Sequence, residues 1–165
     1  MQHKNIYAFN INWNFRTTFL FIFLLALPNL LSLINISTPF GFKIHFFQLA
    51  VFIAALIYGP KGGLLSGFLG SIYPAFLMGN PYIIFGNAIL GFFVGLLARR
   101  GFNIIFSVWL AYLIQLPFLL VTDYYFIHLP IKFLVSLVIA LAISNTIWAV
   151  ITKYTIKPIR KFTGC

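Results

Sequence analysis

Side chains able to do chemistry are scarce in this sequence, and the scarcity excludes several functions at once. Asp123 is the single Asp or Glu in 165 residues. Paired carboxylates for acid–base catalysis and a relay of buried acids for proton pumping are both absent. His3, His45 and His128 lie far apart, and no His-Glu-x-x-His stretch occurs, so the helical zinc-hydrolase motif is missing. Cys165 is the one cysteine and cannot form an internal disulfide or a Cys-based metal site. Gly63-Leu64-Leu65-Ser66-Gly67 has the outline of an intramembrane serine-protease motif, but Leu64 stands where a small residue is required. No Gly-rich loop ending in Lys-Ser/Thr is present to cradle phosphates. The expectation is a protein without enzymatic activity, cofactor or metal. What remains are groups suited to recognition: the amides of Asn87 and Gln115, the polar groups of Asp123, Tyr125, His128 and Lys132, and the rings of Phe40 and Phe42.

The elements that position these residues are helices in lipid. Hydrophobic residues make up 62% of the chain and charged residues 7%, against about 45–50% and about 25% in a soluble domain. A disordered chain is excluded too, since it requires low hydrophobicity. Six apolar segments stand out, at approximately 17–35, 44–58, 63–79, 82–99, 103–122 and 131–152, against the ~20 residues of a spanning helix. The first is too long for a removed signal peptide and lacks its cleavage site. Its Pro28 is tolerable as a kink in a membrane helix. Turn residues separate the segments: Ser37-Thr38-Pro39-Phe40-Gly41, then Gly59-Pro60-Lys61-Gly62-Gly63, then Gly79-Asn80-Pro81. The expected fold is all-α, one membrane domain over residues 1–165, with a basic tail at 153–165 on the membrane surface.

Six spans put both termini on one side. That side carries nine basic residues, Lys4, Arg16, Lys61, Arg99, Arg100, Lys153, Lys157, Arg160 and Lys161, and the other carries two, Lys43 and Lys132. The positive-inside rule then makes both termini cytoplasmic. This sidedness accounts for the net charge of +10 without nucleic acid as a partner.

With that topology, polar residues gather in the outer half of the bundle, among them His45, Asn80, Asn87, Gln115, Thr122, Asp123, Tyr125, His128 and Lys132. Polar groups in hydrocarbon are costly unless they face a cavity or each other, so the surplus points to a pocket open to the outside. Asp123 can serve there as a ligand group or pair with Lys132, Lys43 or the polar side chains around it. Glycines concentrate in the third and fourth helices, where Gly63–Gly67 and Gly91–Gly95 have the spacing that lets helix backbones approach. They suit packing within the bundle or the docking of another membrane subunit.

The run from Leu49 to Gly70, with its Gly59-Pro60-Lys61-Gly62-Gly63 turn, and the stretch Gly86-Asn87-Ala88 through Arg99-Arg100 resemble the substrate-binding S components of energy-coupling factor (ECF) transporters. The resemblance implies a pocket near the outer face for a vitamin or related micronutrient. It also implies a transmembrane coupling subunit and two ATPase subunits as partners, which supply the ATP chemistry this chain lacks. Many relatives carry Ala-x-x-x-Ala on the first helix for docking, and this chain instead has Phe19-Leu20-Phe21-Ile22-Phe23-Leu24-Leu25-Ala26. Relatives also often carry an Asp in the third helix near Ser71, where this chain has Ser. A second family with a similar layout is the MreD-like scaffolds of the rod-shape complex, which usually carry that Asp too. The expected ligand contacts are Asn87, Gln115, Asp123, Tyr125, His128 and Lys132, with Phe40 and Phe42 as an aromatic lid.

Overall fold

The computed structural model describes residues 9, 11, 13–37 and 43–164, with the backbone alone at 35–37, 43 and 44. The expected lid residues Phe40 and Phe42 lie outside the described residues. Among the described residues the chain is helical, with one short antiparallel pair of strands. Helix α1 spans Phe15–Leu31. Asn14 opens it with a capping box, its side chain accepting from Thr17 N at 2.9 Å while Thr17 Oγ1 accepts from Asn14 N at 2.8 Å. Strands β1, Asn35–Ser37, and β2, Lys43–His45, pair with Asn35 opposite His45. The sequence predicts helix up to residue 35, whereas the helix stops at Leu31 and the chain turns into this hairpin.

Helix α2, Phe47–Leu69, is two arms joined at Gly59, whose φ of 76° and ψ of −160° are open to glycine alone without strain. Along one continuous helix Ala55 and Gly63 would sit about 12 Å apart. Instead a Cβ added at Gly63 would lie 2.8 Å from Ala55 Cβ, so the arms fold back on each other. Arg99 caps the reversal, with Nη2 donating to the carbonyl oxygens of Tyr58 and Phe9 at 3.2 Å each. The turn predicted at Gly59–Gly63 is thus a reversal centred on Gly59.

The predicted helix 63–79 is interrupted, because α3 begins only at Ile72 and ends at Met78. Asn29 of α1 covers the break: its Nδ2 donates to Leu69 O and its Oδ1 accepts from Tyr73 N, both at 2.9 Å. Helix α4 is Tyr82–Arg99, and its glycines meet those of the second arm of α2. A Cβ at Gly67 would lie 2.6 Å from Asn87 C, and one at Gly95 would lie 2.6 Å from Gly59 C. The glycine spacing therefore serves packing inside the bundle.

Helix α5, Ile104–Val121, continues into a π-helical turn at Thr122–Phe126. Helix α6 runs Ile131–Thr163. The tail predicted from residue 153 is therefore mostly a continuation of that helix, held by Arg160 Nη2 donating to Leu56 O at 2.8 Å. One core cluster joins Phe52, Leu90, Val94, Val108, Tyr112 and Trp148 from α2, α4, α5 and α6. A second gathers Leu24, Ala54, Ile57 and Ile156 around Tyr58, whose hydroxyl donates to Thr17 O at 2.6 Å.

Among the described residues four stretches are long and apolar enough to cross a membrane: Phe47–Met78, Tyr82–Arg99, Ile104–Phe126 and Ile131–Thr163; Phe15–Leu31 is a shorter apolar helix. Large apolar side chains such as Phe19, Ile22, Phe76, Leu113 and Val135 cover the exterior. Such a surface suits lipid tails better than water.

Candidate functional site

A cavity of about 320 Å³ opens among α3, α4, α5 with its π-helical turn, the start of α6, and the segment around β2. That is within the ~300–1,000 Å³ range of small-molecule sites. Its wall is mainly apolar and aromatic, with Phe46, Phe47, Tyr82, Phe118 and Phe133 contributing rings. Three backbone devices shape it. Trp148 Nε1 donates to His45 O at 2.7 Å, and Ser144 Oγ accepts from His45 N at 3.3 Å, which fixes the end of β2 on α6. Gly79, at φ 62°, ends α3 in the left-handed conformation and turns the chain toward α4. Ile127 N donates to Thr122 O at 3.1 Å, the i→i+5 bond that widens the helix at Thr122–Phe126.

Few polar groups converge on the wall, and each has a definable bonding state. Asn87 is 5% exposed and donates from Nδ2 to Ser71 Oγ at 2.8 Å. Its Oδ1 has no partner among the described residues. Gln115 is 4% exposed, and its side-chain amide bonds to nothing among the described residues, although one face borders the cavity. Asp123 is 5% exposed, with Oδ1 accepting from Asn80 Nδ2 at 2.7 Å. Asn80 Oδ1 in turn accepts from Tyr82 N at 3.1 Å. Of the pairings open to Asp123, that with Lys132 is not formed; among the described residues the carboxylate's side-chain partner is a polar neighbour, Asn80.

Of the residues expected to contact a ligand, Asn87, Gln115 and Asp123 come together on this wall, while Tyr125, His128 and Lys132 do not. Tyr125 is 65% exposed, and His128 and Lys132 also lie outside the cavity. His128 takes φ 59°, the left-handed region, in the loop that leads to α6. Asn80, Thr122 and His45 line the cavity and were not among the chosen contacts. Asn80 has the character of a turn residue in Gly79-Asn80-Pro81, and nothing in the local sequence marks its bond to Asp123, 43 residues away.

The arrangement can hold a small molecule by ring contacts and orient it by the Gln115 amide, the Asn87 carbonyl and the Asp123 carboxylate. Among the described residues no group of three His, Cys, Asp or Glu could hold a metal ion. A family model described as ECF-type riboflavin transporter, S component, matches residues 12–160. No curated protein and no solved structure matches the chain significantly.

Proposed function

The chain belongs to the family of ECF-type riboflavin transporter S components, and on that premise we propose that it captures a flavin, or a micronutrient of similar size, from outside the cell. An S component is the substrate-binding subunit of a membrane vitamin transporter, and it works with the subunits of an ECF module in the membrane. The family and the apolar helices make the chain a multi-pass membrane protein. The scaffold reading is not favoured by this match.

The observation that carries the proposal is the Gln115 amide, buried in a membrane helix, unpaired among the described residues, and bordering an aromatic-lined cavity. A buried amide without a partner is unfavourable in hydrocarbon, and a bound polar ring edge would satisfy it. The rings of Phe46, Phe47, Tyr82, Phe118 and Phe133 suit a flat aromatic ligand. The reversal at Gly59 divides Phe47–Met78 into two arms, which makes five crossings of the four long stretches, and the apolar helix α1 brings the count to the six we propose. The nine-to-two charge count supports cytoplasmic termini. A coupling subunit and two ATPases would supply the energy for release inside, because the sequence has no nucleotide motif of its own.

The test is flavin binding to the purified protein, followed by quenching of flavin fluorescence. Saturable one-to-one binding is expected. Gln115→Leu should weaken it at least about tenfold, the loss of one hydrogen bond to a buried partner, with thermal stability kept or raised. Binding unaffected by Gln115→Leu sinks the assigned orientation. No binding of any member of a vitamin panel sinks the capture function.

A further inference from the structure

Helix α6 is longer than a membrane needs. Its 33 residues extend for about 50 Å, against ~30 Å of hydrocarbon. The last three turns therefore leave the lipid core at one end. They do not hang free. Thr152, Ile156, Ile159 and Thr163 face the body of the protein. Three bonds pin the end: Arg160 Nη2 to Leu56 O at 2.8 Å, Asn14 Nδ2 to Thr163 O at 3.4 Å, and Arg16 Nη1 to Phe162 O at 3.4 Å.

The opposite face presents Lys153, Lys157 and Lys161, four residues apart in one row, all exposed. The one Asp or Glu of the chain, Asp123, lies beyond the other end of α6, so no side-chain carboxylate among the described residues pairs with this row. Tyr154, 72% exposed, lies beside it, whereas Phe162 is turned to another side of the helix, with Arg16 over its ring at 5.3 Å. Val150 and Ile151, just before it on the same helix, are exposed and apolar.

We propose that this face of α6 is a binding surface for the phosphate headgroups of anionic lipids. Three lysines on a helix fixed along its length would present a preorganised row of charge. The Tyr154 ring beside them has the amphipathic character favoured at headgroup level. The row is also continuous with a lipid-facing surface on the same helix, which favours lipid over an acidic protein. The surface is separate from the cavity and does not depend on the ligand or on the orientation of the termini.

The experiment uses the full chain in a neutral detergent, offered equal amounts of phosphatidylglycerol and phosphatidylcholine and examined by native mass spectrometry. Phosphatidylglycerol should be retained in preference, and 0.5 M salt should abolish the preference in the unaltered protein. Each lysine near an acidic surface contributes about fivefold. Lys153→Gln/Lys157→Gln/Lys161→Gln together should therefore reduce phosphatidylglycerol retention by at least about tenfold, with thermal stability unchanged. Equal retention of the two lipids overturns the proposal, as does a preference that survives the triple change. Complete displacement of phosphatidylglycerol by millimolar inorganic phosphate reassigns the row to soluble anions. Binding of an acidic peptide without any lipid preference reassigns it to a protein partner.

Discussion

A single methyl group at Gly63 tests how closely the second arm of α2 and α4 pack. Built on the backbone, the Cβ of Gly63→Ala would overlap the carbonyl oxygen of Gly91 and lie 2.6 Å from its carbonyl carbon. Carbon atoms in contact sit about 3.5–4.0 Å apart, so the two backbones must separate by roughly 1 Å. Backbone cannot swing aside as a flexible side chain can. Overpacking of this kind typically costs about 1–3 kcal/mol, and alanine returns up to about 1 kcal/mol in helix propensity over glycine. The net destabilisation is about 1–2 kcal/mol, a fall in Tm of about 2–8 °C for a chain of this size. Thermal unfolding in detergent, followed by intrinsic fluorescence, measures it. Gly86→Ala is the control, because its Cβ would meet the end of the Gln115 side chain at 3.3 Å and no backbone. A Cβ at Gly91 meets Gly63 in the same way, at 2.6 Å from its carbonyl carbon. Gly63→Ala and Gly91→Ala together should thus be less harmful than the sum of the two, since the first methyl already parts the helices. A Gly63→Ala protein melting within about 1 °C of the unaltered one would refute the close approach.

Two further substitutions probe individual bonds. Asn80→Ala removes the donor held 2.7 Å from Asp123 Oδ1 and should lower stability by about 1–3 kcal/mol. Asn80→Asp, which sets two carboxylates face to face, should be worse by the same melting assay, and the reverse order would show that Asp123 does not depend on this bond. Thr152 Oγ1 is buried with no partner among the described residues, so Thr152→Val should raise stability by up to about 1 kcal/mol; a lower melting temperature would mean that the hydroxyl is satisfied by ordered water.

The apolar segments were legible in the sequence because hydrophobicity and turn residues are local signals. Gly59-Pro60 announced a reversal, and Gly79-Asn80-Pro81 announced the next. The breaks that escaped are those settled by distant contacts. Gly70, with Pro74 shortly after it, is a local stop signal hidden in a continuously apolar stretch, and the backbone groups freed there are satisfied by Asn29, 40 or more residues earlier in the chain. The length of α6 was missed for a similar reason. Its basic last turns look like a solvated tail in isolation, and only their fit against α1 and α2 explains why they remain helical.

At the site, the sequence supplied depth but not azimuth. Sorting polar residues to the outer half brought together residues at the right level, and packing then decided which of them face inward. On α5 the cavity-lining Gln115, Phe118, Leu119 and Thr122 follow one helical stripe. Continued at 100° per residue, an unbroken α-helix would set Asp123 and Tyr125 about 80° to either side of Gln115, with nothing to choose between them. The π-helical turn breaks the tie. By advancing less per residue it keeps Asp123 near the stripe and leaves Tyr125 well short of returning to it, hence 5% exposure for one and 65% for the other. The same logic separates Lys132 from Phe133: Phe133, Leu137 and Leu141 recur every four residues along the cavity side of α6, and Lys132 sits one residue off that line. A wider turn at this point is therefore what sets the chain's one acid on the cavity wall.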